Sequence, residues 1–290
     1  MKKGLKGRVP EILFTLLLIV GIGVAAYPFV SDWWNDQHQT RAIASYQQVV
    51  EHTSDEDRQR MWDEAVAYNQ SLPAGLGRFN LSDEDRARYQ ATLDVTGTGI
   101  MGYVDIPKIN VNLPIYHGTD DTVLQVAIGH IAGSSLPVGG QGTHCVVSGH
   151  RGLPSARLFS DIDQLREGDV FMLHTLGQTM TYQVDQIRTV LPNELDDLAI
   201  DPGLDLCTLV TCTPYGVNTH RLLVRGHRIP NEQVTTFEGD ASRVDPVLVA
   251  GIVTGAVFVV LLVVRGVRRG RARKGRGKGK AVPTEQLDAE

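Results

Sequence analysis

Leu206-Cys207-Thr208-Leu209-Val210-Thr211-Cys212-Thr213-Pro214-Tyr215-Gly216 is the stretch on which the reading of this chain turns. A run suited to a β-strand ends in a cysteine, and turn-forming residues follow at once. A cysteine at the mouth of a strand is partly exposed, as a thiolate nucleophile must be. The competing reading, a small core residue, is the commoner fate of a strand-end cysteine. The same texture continues on both sides of the stretch. Candidate strands are Gly102–Ile106, Val111–Ile115, Thr143–Ser148, Val170–Leu173, Met180–Val190, Leu206–Thr211 and Leu222–Ile229. Pro137-Val138-Gly139-Gly140, Glu167-Gly168-Asp169, Gly177-Gln178 and Asp201-Pro202-Gly203 punctuate them. Seven or eight short strands over about 130 residues call for a closed barrel or a sandwich.

Upstream the pattern is helical. Ala42, Ile43, Tyr46, Val49 and Val50 recur at helical spacing, and Thr53 with Glu56 reads as a capping box opening a second helix. Leu72 to Asn80 is a Pro/Gly loop, and Ser82 with Asp85 opens another short helix. Farther out, Ile12 to Ser31 is 20 residues without a charge and Pro246 to Val264 is 19. Each is long enough to cross a bilayer as a helix. Four basic residues and no acid precede Glu11; nine basic residues and no acid lie between Arg265 and Lys280. Retention of Lys and Arg on the cytoplasmic side puts both ends inside and the middle outside. Trp33 and Trp34 fall where an aromatic belt is expected. The alternative for the first run is a cleaved signal peptide with Val24-Ala25-Ala26 at its cleavage site, which exports the middle equally. That middle, Asp32 to Asp245, carries 29 acidic against 15 basic residues, a net −14. So acidic a segment repels phosphate backbones, which argues against nucleic acid as a partner.

Cys212 has two companions at other strand ends. His150 closes Val146-Val147-Ser148-Gly149, and Arg221 opens Arg221-Leu222-Leu223-Val224. Thiol, imidazole and guanidinium are the inventory of acyl transfer: a nucleophile, a proton shuttle and a fixed positive donor for the oxyanion. Thr208-Leu209-Val210-Thr211-Cys212 resembles the TLxTC motif of sortases, the transpeptidases of Gram-positive surfaces. Ser148-Gly149-His150-Arg151-Gly152 is similar to their histidine motif and Asn218-Thr219-His220-Arg221-Leu222 to their arginine motif. Order and spacing fit as well, with 62 residues from His150 to Cys212 and nine more to Arg221. The resemblance runs from about Ile100 to Arg228 and takes in Pro114-Ile115-Tyr116-His117-Gly118 and Gly133-Ser134-Ser135-Leu136-Pro137-Val138-Gly139-Gly140. Thr211-Cys212-Thr213-Pro214-Tyr215-Gly216, together with a second span, is most similar to class C, the pilin-polymerising branch.

The resemblance implies a mainly β chain: an eight-stranded sortase-type β-barrel with N-terminal helices, flanked by two transmembrane helices. The expected layout is a basic cytoplasmic N-terminus (1–11), a span or signal anchor (12–31) and an extracellular helical region (32–98) with a lid at about 72–89. The catalytic barrel (99–230), a linker (231–245), a second span (246–264) and a basic cytoplasmic tail (265–290) follow. The resemblance also implies that Cys212 attacks the Thr–Gly carbonyl of an LPxTG-like sorting signal to form a thioester. His150 then shuttles the proton, Arg221 holds the oxyanion, and a pilin lysine amine receives the acyl group. Implied partners are pilin subunits and, for the basic tail, anionic membrane lipid. A cell-wall-anchoring sortase with a peptidoglycan-precursor acceptor, and a purely hydrolytic cysteine protease, use the same catalytic residues and stay open.

Class C lids carry an Asp-Pro-aromatic triplet, and residues 72–89 have none. Phe79, in Gly77-Arg78-Phe79-Asn80, is the one aromatic between Tyr68 and Tyr89, so it is the expected plug of the groove, with Arg78 or a nearby acid contacting the site. The alternative is a solvent loop with Phe79 packed on the barrel. Parallel neighbouring strands with His150 and Cys212 level, as the resemblance implies, would also bring Cys145 and Cys207 level, each five residues earlier. That makes them a candidate disulfide in an oxidising compartment, or else two small buried hydrophobes in contact. His117, His130, His144, His174, His220 and His227 show no ligand spacing, so neither metal nor cofactor is expected.

Overall fold

In the computed structural model residues 9–73 and 75–231 are described, together with 251, 255 and 257. The second apolar run, the linker before it and the basic tail therefore lie outside the described residues almost entirely. The chain divides into two units, Met1–Arg243 and Val244–Glu290, and the barrel with its leading helices belongs to the first.

Three helices lead in: α1 (Val9–His52), α2 (Asp55–Ser71) and α3 (Asp83–Ala91). Among the described residues one helix, within Thr15–His52, is long and apolar enough to cross a membrane; its most apolar window has a mean hydropathy of 1.7 and none of it is buried. The expected capping box falls one residue later than Thr53. Ser54 caps α2 by accepting from the Asp57 N–H at 3.1 Å, while Thr53 turns back to donate to the Val49 carbonyl at 2.8 Å. The two boxes have the same spacing, and the Val49 carbonyl at the end of α1 selects between them. Ser82 caps α3 as expected, accepting from Asp85 N–H at 3.1 Å.

Eight strands complete the unit: β1 (Ile100–Ile106), β2 (Val111–His117), β3 (Ile128–His130), β4 (Thr143–Ser148), β5 (Val170–Thr175), β6 (Gln178–Val190), β7 (Asp205–Thr213) and β8 (His220–Ile229), with the single-turn helix α4 (Asp121–Leu124) before β3. They close a barrel in the order β1-β2-β3-β4-β7-β8-β6-β5. The pairs β2–β3 and β4–β7 are parallel, and the others are antiparallel. β3 is the strand that the sequence pattern does not announce. Three residues are too short to show an alternation, and burial of all three erases the polar half of the pattern.

Alternation along β4, β7 and β8 sorts their side chains between two clusters. Cys145, Val147, Cys207, Leu209, Leu222 and Val224 join the main core inside the barrel. Val146, Val210 and Leu223, one residue out of phase, join Leu198 in a smaller cluster on the outer face of the same wall. Cys212 and Arg221, in phase with Val210 and Leu223, belong to that outer face.

Candidate active site

Three strand ends meet there. In the parallel β4–β7 ladder Ser148 is opposite Val210, and the Gly149 N–H carries the pairing onward by donating to the Val210 carbonyl at 3.0 Å. Thr211 Oγ1 donates to the Gly149 carbonyl at 2.7 Å. The same register continued one step brings His150 level with Cys212. On the other side of β7, Cys212 is the direct partner of Arg221 in the antiparallel β7–β8 ladder. Cys212 shares its face with Val210, and Arg221 with Leu223, so thiol and guanidinium stand on the outer wall beside the smaller cluster. His150, Cys212 and Arg221 are each half-buried. Arg221 is steadied from below: its Nη1 donates to the His220 and Asn218 carbonyls at 3.1 and 3.3 Å. The ladders thus pair Cys212 with Arg221 directly, and their continuation sets His150 at the same level.

Sequence reasoning passed over Arg151. Its guanidinium bridges the loop after His150 to the turn after Cys212: Nη1 donates to Thr213 Oγ1 at 3.3 Å, Nη2 is ion-paired with Asp163, and the group lies 5.8 Å from the Tyr215 ring centroid. Glycine at 152 is required by the same packing, since a Cβ there, at φ +76°, would stand 2.9 Å from the Tyr215 ring. Arg151 was visible as part of the histidine motif, but a partner twelve residues on gives no local signal.

The outer wall is covered. Leu76–Phe79 forms one turn of 3₁₀ helix whose Phe79 packs with Val146, Val210, Leu223 and Leu198, together with Ile131, Val190 and Leu195. Arg78 is buried, its Nη2 donating to the Leu198 carbonyl at 2.6 Å and its guanidinium lying 4.5 Å from the Phe79 ring centroid. Burial lowers the Arg78 pKa. The backbone seats the segment closely: a Cβ on Gly133, at φ +91°, would meet the Arg78 carbonyl at 2.4 Å. Arg78, expected to contact the site, instead bonds the Gly75 and Leu198 carbonyls, the latter in the loop between β6 and β7, and the ring of Phe79 packs against the smaller outer cluster.

Cys145 and Cys207 are directly opposite in the β4–β7 ladder, as the equal offsets required. The disulfide is not formed: both are buried free thiols. Directly opposed residues of adjacent strands lie near 4.8 Å, at the short, strained end of disulfide geometry. The two thiols face each other unbonded instead, and burial pushes Cys207 well above the ordinary thiol range.

Among the described residues no group of three His, Cys, Asp or Glu side chains gathers for a metal ion. The buried imidazoles are committed to protein partners. His144 bonds the Ala199 carbonyl through Nδ1 at 2.8 Å and Thr208 Oγ1 through Nε2 at 2.7 Å, and burial lowers its pKa to about 4. His130 bonds the Ser135 carbonyl through Nε2 at 2.8 Å, and its Nδ1 lies 3.0 Å from the Tyr89 hydroxyl, tying α3 to the barrel.

A family model described as a sortase domain matches residues 104–229. Among solved structures the chain is similar to sortase C1 of Streptococcus agalactiae, with 53% identity and a TM-score of 0.63 over 66% of this chain and 99% of that one. Sortase C-1 of Actinomyces oris gives 45% identity and a TM-score of 0.56 over 60% and 99%. Sortase C of Streptococcus pneumoniae, a protein described in terms of catalysis and pilin substrate specificity, gives 42% and 0.58 over 66% and 97%. A curated Sortase A of Streptococcus agalactiae is 32% identical over 43% of this chain, a match that spans 51% of that relative.

Proposed function

From the premise that the chain belongs to the sortase family, whose members are cysteine transpeptidases, we propose that it is a membrane-anchored, pilin-polymerising sortase of the class C kind. The observation that supports this reading is the register that makes Cys212 and Arg221 direct partners on β7 and β8 and, continued past Ser148, sets His150 level with Cys212.

In this reading the Cys212 thiolate attacks the Thr–Gly carbonyl carbon of an LPxTG-like signal, and the carbonyl electrons move onto oxygen. The Arg221 guanidinium, fixed by two backbone carbonyls, donates to that oxyanion. As the C–N bond breaks, His150 gives a proton to the departing glycine amine, leaving a Cys212 thioester. A lysine amine of the next pilin then enters, His150 takes its proton, and collapse expels the thiolate and leaves an isopeptide bond. Lysine is mostly protonated near neutral pH, so the base is indispensable. Water must be kept from the thioester meanwhile. Phe79 and Arg78 form the lid that covers the wall between turnovers. The hydrophobic stretch of α1 anchors the enzyme, with the barrel on the outer side.

The polymerase reading is favoured over wall anchoring by the class C neighbours, one of which is described in terms of pilin substrate specificity. Incubating the enzyme with a pilin subunit tests it. A ladder of covalent multimers is expected, and cleaved monomer alone refutes polymerisation.

A further inference from the structure

The side chains of α1 change character at Asp32. N-terminal to it, large apolar groups face outward, with Leu17 and Val24 69% and 71% exposed. From Asp32 onward one stripe at spacings of three and four turns to the barrel. Asp32 Oδ1 accepts from the Arg157 N–H at 2.8 Å, Asn35 Nδ2 donates to the Ser155 carbonyl at 2.6 Å, and Gln39 Nε2 donates to the Val126 carbonyl at 2.7 Å. Ile43 is buried, Tyr46 Oη donates to the Met101 carbonyl and accepts from the Leu176 N–H, and Val50 abuts Gly177. Such a stripe makes the helix a rigid strut against the barrel.

The strut meets the two ends of the barrel at different heights. Ser155 and Arg157 belong to the loop that leaves His150 and closes back on it, with the Phe159 N–H donating to the His150 carbonyl at 3.1 Å. Leu176 and Gly177 form the β5–β6 turn at the opposite end. Eighteen residues separate Asp32 from Val50, about 27 Å of helix at 1.5 Å per residue. On the membrane-anchored sortase reading, on which this rests, the apolar run ends at Ser31, so Asp32 stands at the headgroups. His150 is five residues from Ser155, hence no more than about 17 Å from the Asn35 contact.

We infer that α1 holds the Cys212 end of the barrel down at the bilayer surface, and that Asp32 and Asn35 set that height. The active site then faces lipid, and the β5–β6 turn points away. A polypeptide whose scissile bond lies about five extended residues beyond its own membrane segment would arrive at the thiol without leaving the bilayer. Asp32 and Asn35 are positioning residues, touching neither substrate nor the reacting atoms.

The full chain in phosphatidylcholine/phosphatidylglycerol liposomes tests this. A maleimide fluorophore is placed on Cys212, the half-buried thiol, or on a Gln178→Cys, Cys212→Ala variant, with acceptors on the lipid headgroups. Energy transfer should be at least about twofold higher from Cys212, and should fall in the Asp32→Ala, Asn35→Ala double variant. That double variant should cleave a soluble sorting-signal peptide within about twofold of the parent rate. It should lose at least about fivefold on the same signal fused to a membrane segment. Equal transfer from the two labels overturns the inference, as does an equal loss on both substrates, which would mean that the pair merely shapes the His150 loop. Failure of the chain to float with liposomes overturns it together with the membrane reading. Cleavage of neither substrate by the parent enzyme, with the transfer asymmetry intact, would refute the transpeptidase reading and leave the orientation standing.

Discussion

Phe79→Ala should expose Cys212. The ring is half-buried against the cluster of Val146, Leu198, Val210 and Leu223, with the Arg78 guanidinium 4.5 Å from its centroid. Truncating a fully buried Phe costs about 3–5 kcal/mol, so a half-buried one contributes about 2 kcal/mol. That packing exists only when the lid lies on the wall, whereas the Arg78–Phe79 contact is internal to the lid. Losing about 2 kcal/mol shifts a lid that is almost always closed toward open by roughly 25-fold, at 1.4 kcal/mol per factor of ten. The assay is the second-order rate of Cys212 alkylation by a small thiol reagent, with the melting temperature as control. The lid turn is a local unit, so Tm should hardly move while the rate rises at least about tenfold. A change below about twofold, with Tm unmoved, would show that Phe79 packs on the barrel without guarding the thiol.

Gly133→Ala should act in the same direction without deleting any lid side chain, because its Cβ meets the Arg78 carbonyl at 2.4 Å; unchanged alkylation would mean that the lid is not seated there. Cys212→Ala and His150→Ala should abolish cleavage with Tm retained, whereas Arg221→Lys, which keeps the charge but loses the planar fork, should lower kcat at least about tenfold. Near-normal kcat for Arg221→Lys would remove the oxyanion role. Thiol titration of the denatured, unreduced chain should count three thiols, and a count of one would restore the Cys145–Cys207 bond. His144 has a folded pKa near 4 against an ordinary 6.5, so the unfolded chain binds the extra proton between those values. Its contribution is intact above about pH 6.5 and is lost as pH falls toward 4, by at most about 3 kcal/mol. His144→Gln should flatten the decline of the denaturation midpoint between pH 7 and 4.5, and an equally steep decline would assign the loss to other groups.

The candidate catalytic residues were legible because each stands at or beside a strand end, near turn residues that mark it; periodicity and punctuation are local signals. Strand β4 was read with its correct ends, and β7 and β8 within two residues at each end. What stayed hidden was non-local. Nothing in Ile128-Gly129-His130 announces a strand, because its partners are β2 on one side and β4 on the other. The Arg151–Asp163 pair and the grip of Asp32 and Asn35 on residues 155–157 join positions that only the closed fold brings together. Ser54 displaced Thr53 as the α2 cap for a reason of the same kind, since the choice depended on where α1 ends.

Closure of the barrel through the β1–β5 pairing has a bearing on the company such an enzyme keeps. A sheet with an open edge offers its backbone to any extended segment that drifts by, irrespective of side chains. Here each of the eight strands already has a neighbour on both flanks. A passing chain therefore finds no open sheet edge to extend, and admission falls to the side chains of the outer wall. A barrel without a free sheet edge is thereby kept from the edge-to-edge association that draws open sheets into fibres.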